Sequence, residues 1–287
     1  MKIVTYNIQF GKGKDDRFDL NRIVDEVSGA DIIAMQEVER FCERSGNIDQ
    51  AAEIAGLLGE YHWVYGAGID INADVETDGV ITHRRQQFGN MLLSKTPIIY
   101  SRNHLLAKYG SLGPISIQRS ALECVLSLKH PLRVYSVHLT HLASETRLPQ
   151  IDQLLDIHHN AVMEGPPLMG DMSDGYWPDP GLGVDAPRDA IFLGDFNFTP
   201  DSDEYDRMTG PESPYGGRMS NPDGFVDAWA AAGHDELEGS SAEVKGQPAR
   251  LDYCFISTRL RNTIKSVRID NDALGSDHQP VWIELDL

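Results

Sequence analysis

The chain has 287 residues, of which 41% are apolar, which suits one large core and argues against disorder. Its formal net charge is −19, so its surface repels long nucleic acid unless a basic patch or bound cations compensate, while a small phosphorylated substrate in a cationic pocket stays open. Three widely spaced cysteines, Cys42, Cys124 and Cys254, argue against a disulfide framework or a cysteine zinc site and point to a reducing cytoplasm.

Lys2 to Tyr6 reads as a strand. A motif residue already stands at Asn7, so no signal peptide is expected. Asp19 to Ala30 carries Leu20, Ile23, Val24 and Val27 at helical spacing, with Gly29 near its end. Ile32 to Met35 is a buried-strand run, too short, like every apolar run here, to span a bilayer. Ala51, Ile54, Ala55 and Leu58 make a helix of Gln50 to Leu58. After a loop rich in Gly and Asp, strands are predicted at Asn90 to Leu93, Leu122 to Leu128 and Arg133 to His138. Ser144 is read as the cap of a helix burying Leu148, Ile151, Leu155 and Val162, with Pro149 tolerable near its first turn. Residues 165–187, rich in Gly, Pro and Asp and holding Tyr176 and Trp177, read as a long surface loop, either an insertion or a rim over the active site. Ile191 to Gly194 is a short strand, and Thr199-Pro200-Asp201 opens a helix. Val281, Ile283 and Leu285 alternate in a final strand. The whole chain, 1–287, reads as one α/β domain.

Polar residues collect where these strands end. Gly194-Asp195-Phe196-Asn197 follows an apolar run, so Asp195 and Asn197 point the same way if the strand continues. A carboxylate and an amide on one face can orient a water and hydrogen-bond a phosphoryl oxygen; the plainer reading is a turn. Gly275-Ser276-Asp277-His278 precedes the last strand, and an acid beside a histidine can hold its tautomer and raise its basicity. Asp252 heads the apolar strand Cys254 to Ile256. Glu37, after Met35-Gln36, is a hard oxygen donor suited to Mg²⁺. Asn7 ends the first strand, and His138 and His141 follow the strand Arg133 to Val137. Each alone is more often structural than catalytic; together they stand where a metal-phosphate site needs them.

The pieces Thr5-Tyr6-Asn7, Gln36-Glu37-Val38, Gly89-Asn90-Met91-Leu92-Leu93-Ser94, Ser136-Val137-His138-Leu139, Gly194-Asp195-Phe196-Asn197, Leu251-Asp252-Tyr253 and Ser276-Asp277-His278 resemble the endonuclease/exonuclease/phosphatase superfamily, to which pancreatic deoxyribonuclease, abasic-site endonucleases, sphingomyelinases and inositol-polyphosphate 5-phosphatases belong. The resemblance implies a four-layer α/β/β/α sandwich in which two mixed sheets pack face to face with helices outside. It implies that Glu37 binds Mg²⁺, with Mn²⁺ able to substitute, helped by Asn7 and Asp277. Asp195 would orient or deprotonate the water, Asn197 and His138 would contact phosphoryl oxygens, and His278 would act as base or transition-state donor. Asp252 would pair with a neighbouring histidine, His138 foremost. Some relatives carry an acidic metal ligand two residues after the first Asn; here that position is Gln9, which favours one metal.

Asn90 and Arg119 are read as substrate-binding residues, Arg119 being placed to reach a phosphate. His83-Arg84-Arg85 is expected near the site, and Gly216-Gly217-Arg218 is read as a flexible cation. The substrate class that follows is a small or lipid-linked phosphoester. The alternatives are a nuclease acting on DNA and a non-catalytic binding protein on the same scaffold, the latter disfavoured by the full set of polar residues.

Overall fold

In the computed structural model, which describes residues 1–171, 175 and 185–287, the first half runs β1 (Lys2–Asn7), α1 (Leu20–Glu26), β2 (Ile32–Arg40), α2 (Gln50–Leu58) and β3 (His62–Asn72). A short hairpin of β4 (Val75–Thr77) and β5 (Val80–Thr82) leads to β6 (Arg85–Ser94), β7 (Ile98–Leu105), β8 (Ser120–Leu126) and β9 (Leu132–His138). The second half holds α3 (Ser144–Glu164), β10 (Ala190–Asp195), α4 (Asp203–Thr209) and β11 (Phe225–Asp227). A second hairpin, β12 (Ala242–Val244) and β13 (Gln247–Ala249), precedes β14 (Asp252–Ser257), β15 (Ile264–Ile269) and β16 (Val281–Leu285).

The strands form two six-stranded sheets, ordered β15-β16-β1-β2-β6-β3 and β11-β14-β10-β9-β8-β7. Both are mixed: β1 pairs parallel with β2 and antiparallel with β16, and β10 pairs parallel with β9 and antiparallel with β14. Side chains alternate across a strand, and the core follows that alternation. Ile3, Ile32, Ala34 and Leu92 of the first sheet meet Leu122, Val134, Ile191, Leu193 and Cys254 of the second. The opposite face of the first sheet, with Val4, Tyr6, Ile33 and Met35, packs on Ile23 of α1 and Ala51 and Ile54 of α2. The opposite face of the second, with Tyr135, Phe192 and Phe255, packs on Ile151 and Leu154 of α3 and Tyr205 and Met208 of α4. The result is the expected four-layer α/β/β/α sandwich. Each fully buried Ile or Leu between the sheets contributes about 1.5–3 kcal/mol.

Four local expectations need correction. β3 and β7 are strands where the sequence pattern marks a loop or no element, because neither shows clean alternation: most of their residues are half-exposed or exposed. Strand β2 does not end at Glu37 but continues to Arg40. The N-cap of α3 is Ala143, and its buried stripe is Ile151, Leu154, His158 and Ala161, while Val162 is exposed. The helix turns that way because His158 lies against buried Arg133, 3.0 Å from its Nη2. Helix α4 is capped by Ser202, whose hydroxyl accepts from Tyr205 N; Thr199-Pro200-Asp201 forms the turn before it. Of the loop expected at 165–187, residues 172–174 and 176–184, with Tyr176 and Trp177, lie outside the described residues; the rest forms neither helix nor strand. Cys42, Cys124 and Cys254 are buried free thiols, and no helix among the described residues is long and apolar enough to cross a membrane.

Candidate active site

At one end of the inter-sheet face the apolar alternation turns polar. Asn7 continues the row of Ile3 and Thr5, and Asp195 that of Ile191 and Leu193. His138 continues Val134 and Ser136, and Asp252 begins the row of Cys254 and Ile256. Register then sets neighbours: Asp195 stands opposite His138 on β9 and opposite Asp252 on β14. Gly194 makes this possible. Its φ is +149°, and a Cβ there would lie 1.9 Å from Val137 O, so only glycine fits.

Glu37 arrives by a different route. By parity it should face the helices with Ile33 and Met35. The pairing of β2 with β6 slips between Met35 and Val38, and Glu37 has φ +60°. This bulge turns its carboxylate toward the site, where Asn7 Nδ2 donates to Oε1 at 3.4 Å. Gln36 keeps the inter-sheet face and ties the sheets together, donating to Ser136 Oγ at 2.9 Å.

His278 comes from a loop. Leu274 N and Gly275 N donate to Glu26 of α1 at 2.7 and 2.9 Å, and Ser276 Oγ donates to Asn7 O at 2.7 Å. A Cβ on Gly275 would meet Glu26 Oε2 at 2.4 Å, so glycine lets the loop close on α1.

Asp195 is the hub. Its Oδ2 accepts from Asn7 Nδ2 at 3.0 Å and lies 3.4 Å from His138 Nε2 and 3.8 Å from His278 Nε2. Its Oδ1 accepts from Asn197 N at 2.9 Å. Burial alone would raise its pKa, but His278, His138 and Arg119 outweigh burial and hold it well below the usual carboxylate range. His138 is buried, and Arg119 Nη1 lies 2.8 Å from its ring nitrogens. Burial and that guanidinium pull its pKa down to about 4. His278 Nδ1 donates to Asp252 Oδ2 at 2.7 Å, an oxygen that also accepts from Ser241 Oγ at 2.7 Å. Burial would lower the His278 pKa, but Asp252 and Asp195 push it up to about 10. Near neutrality the site therefore holds a neutral His138, a charged His278 and an ionised Asp195 between them.

Glu37 is one candidate ligand for a cation. Asp195, Asp252 and His278 are also close enough to hold an ion, with ligand atoms within 4.8 Å. In that cluster the His278 Nδ1 proton lies in its bond to Asp252 Oδ2, while Asp252 Oδ1 is buried without a partner. Glu37 is the less satisfied carboxylate. Burial raises its pKa, and the long bond from Asn7 is the sole hydrogen bond it accepts among the described residues. A hard divalent cation is the partner such a group lacks.

Asn7, Glu37, His138, Asp195, Asp252 and His278 thus converge, with Asn197 next to Asp195, its Nδ2 donating to Leu139 O at 3.1 Å. Asp252 pairs with His278 and not with His138, because His138 is taken by Arg119 and Asp195. Asp277 is exposed, and its Oδ2 accepts from Gln9 Nε2 at 2.7 Å. Arg119 is buried against His138 and reaches His141 Nδ1 at 3.2 Å. Asn90 is not free for substrate: it is buried, donating to Ser120 O at 2.8 Å and Ser136 O at 3.1 Å. Three of the expected cationic groups are engaged elsewhere. Arg218 is held by Asp206 and Glu236, and in the 83–85 cluster His83 meets Asp74 at 3.0 Å and Arg85 meets Asp70 at 2.7 Å. Ser241 was not legible as a site residue; a serine in a Gly-Ser-Ser stretch reads as turn.

A two-sheet sandwich carrying a carboxylate–imidazole cluster at the polar end of its inter-sheet face defines a class of phosphoester-processing proteins. The model of the endonuclease/exonuclease/phosphatase family matches residues 4–278, and the chain belongs to that family. A search of curated proteins gives no match. Among solved structures, a family protein from Leptotrichia buccalis superposes with a TM-score of 0.66 at 16% identity, covering 100% of both chains. One from Bacteroides vulgatus gives 0.65 at 19% identity, over 100% of this chain and 98% of its own. A 3′ phosphatase from Neisseria, bound to a product DNA hairpin, gives 0.58 at 15% identity over 100% of both.

Proposed function

We propose that the chain is a Mg²⁺-dependent phosphoester hydrolase, a phosphodiesterase or phosphatase acting on a small or lipid-linked phosphoester. The observation that carries this reading is the convergence of Asn7, His138 and His278 on the single carboxylate Asp195, with Glu37 beside Asn7 and His138. Asp195 accepts a hydrogen bond from the attacking water and orients it; its depressed pKa makes it an acceptor more than a strong base. His278, charged and held by Asp252, donates to a phosphoryl oxygen as charge develops there. His138 keeps its proton on Nε2, the tautomer that Asp195 favours, and with Asn197 contacts the remaining oxygens. Glu37 and Asn7 would hold Mg²⁺ or Mn²⁺, and Asp277, tied to Gln9, would stand behind them. When bound, the ion would neutralise phosphoryl charge as a Lewis acid. With a neutral amide at Gln9, a single ion is the simpler reading.

A nucleic acid substrate is the second reading, favoured by the DNA hairpin bound to the Neisseria phosphatase and opposed by the net charge of −19. The experiment is a phosphoester panel on EDTA-stripped protein with and without Mg²⁺: bis-p-nitrophenyl phosphate, sugar phosphates, sphingomyelin, nucleotides, plasmid and abasic DNA. Metal-dependent hydrolysis of small esters with intact plasmid supports the first reading. Hydrolysis confined to DNA favours the second, and no hydrolysis of any ester overturns both.

A further inference from the structure

A cleft of about 540 Å³ opens beside His278, between the loop that carries it and the β12–β13 hairpin. Gln279 lines it directly after the catalytic histidine and is 7% exposed. Its backbone N–H donates to Ser241 O at 2.6 Å, which fixes the residue. Its side-chain amide has no hydrogen-bond partner among the described residues, and Oε1 is fully buried. An unpaired amide oxygen at that depth carries a desolvation penalty, and a turn of the amide that brings it to a ligand hydroxyl in the cleft relieves it.

The other walls say what kind of ligand. Asn271 and Ser240 add neutral polar groups, and Lys14 and Glu243 add one charge of each sign. Asp277 offsets His278, so no surplus of cations invites a second phosphate. Among the described residues no Phe, Tyr or Trp ring lines the cleft to stack a base or cage a quaternary ammonium. Mixed donors and acceptors of low net charge match hydroxyl groups, each of which does both. We propose that this cleft binds the hydroxyl-rich part, a sugar or other polyol, of the phosphoester, with Gln279 as its specificity residue. The inference rests on the phosphoester reading of the adjoining site.

The test is calorimetric binding to the full-length Asp195→Asn protein, which removes turnover, in Mg²⁺. The probes are glucose 6-phosphate and cyclohexylmethyl phosphate, matched in ring size and charge but differing in hydroxyls. The sugar phosphate is expected to bind at least about tenfold more tightly, and Gln279→Leu to cut that preference to about twofold or less. Asn271→Ala, on the exposed rim, moves it the same way by a smaller factor and is read if Gln279→Leu fails to fold. Equal affinities in the parent, or a preference untouched by both substitutions, overturn the inference. Hydrolysis of the whole phosphoester panel, monoesters and diesters, by the unsubstituted protein in Mg²⁺ is read separately. Its absence with the preference intact sinks the hydrolase reading alone; its presence without the preference sinks the polyol inference alone.

Discussion

Two walls of the site each present an imidazole to the same carboxylate and treat it in opposite ways. On the β8–β9 side Arg119 stands against His138, and burial with that guanidinium brings the ring to about 4. On the β14 side Asp252 stands behind His278, and with Asp195 it overrides burial and takes the ring to about 10. The two rings share Asp195 and differ in the group behind them. The difference teaches that the second partner, not depth, decides which imidazole is a neutral contact and which a fixed cation.

Removing the shared carboxylate should have the largest effect. Asp195→Asn is expected to lower Mg²⁺-dependent release of nitrophenol from bis-p-nitrophenyl phosphate by about 10³-fold, with the circular dichroism spectrum unchanged. A loss below tenfold would take Asp195 out of the mechanism.

Removing the cationic wall comes next. His278→Gln should cost about 10²-fold. The unsubstituted enzyme should lose activity as pH rises through about 10, where the imidazolium is lost, and the variant should lack that alkaline fall. The same pair stabilises the fold. Its folded value lies above the ordinary 6.5, so its contribution is complete below that pH and disappears as pH rises through about 10. The gap in thermal midpoint between enzyme and variant should close across that window; a constant gap contradicts a charged His278.

Glu37→Gln leaves both walls standing and weakens the metal. The Mg²⁺ concentration for half activity should rise about tenfold or more, and an unchanged titration removes Glu37 from the ligands. The smallest effect belongs to the neutral wall. Arg119→Met should raise the His138 pKa from about 4, read by imidazole NMR, and lower activity about tenfold. A His138 titration that does not move means that burial alone holds it down.

Asn7, His138, Asp195 and Asp252 were legible because each extends a readable apolar strand. Glu37 was legible as a residue but not as a position, since strand parity sends it to the helix face and only the bulge brings it back. The pairing of Asp252 could not be read, because it depends on a loop pinned to α1 through Glu26, nearly the whole chain away from His278. Asn90 and Arg218 look like free binding groups in one dimension, and three dimensions supply their partners. The helices α1 and α2 followed from periodicity, whereas β3 and β7 lie on exposed sheet edges where the alternation that marks a buried strand is absent. Ser241 and Gln279 carry no local signal, because what distinguishes them is the neighbour or the missing neighbour.

The most direct measurement is an imidazole NMR titration of metal-free protein, with His138→Gln and His278→Gln used to assign the two resonances. The account predicts that His138 stays neutral down to about pH 4 and that His278 stays protonated up to about pH 10. Two rings titrating together near the ordinary 6.5 would contradict it.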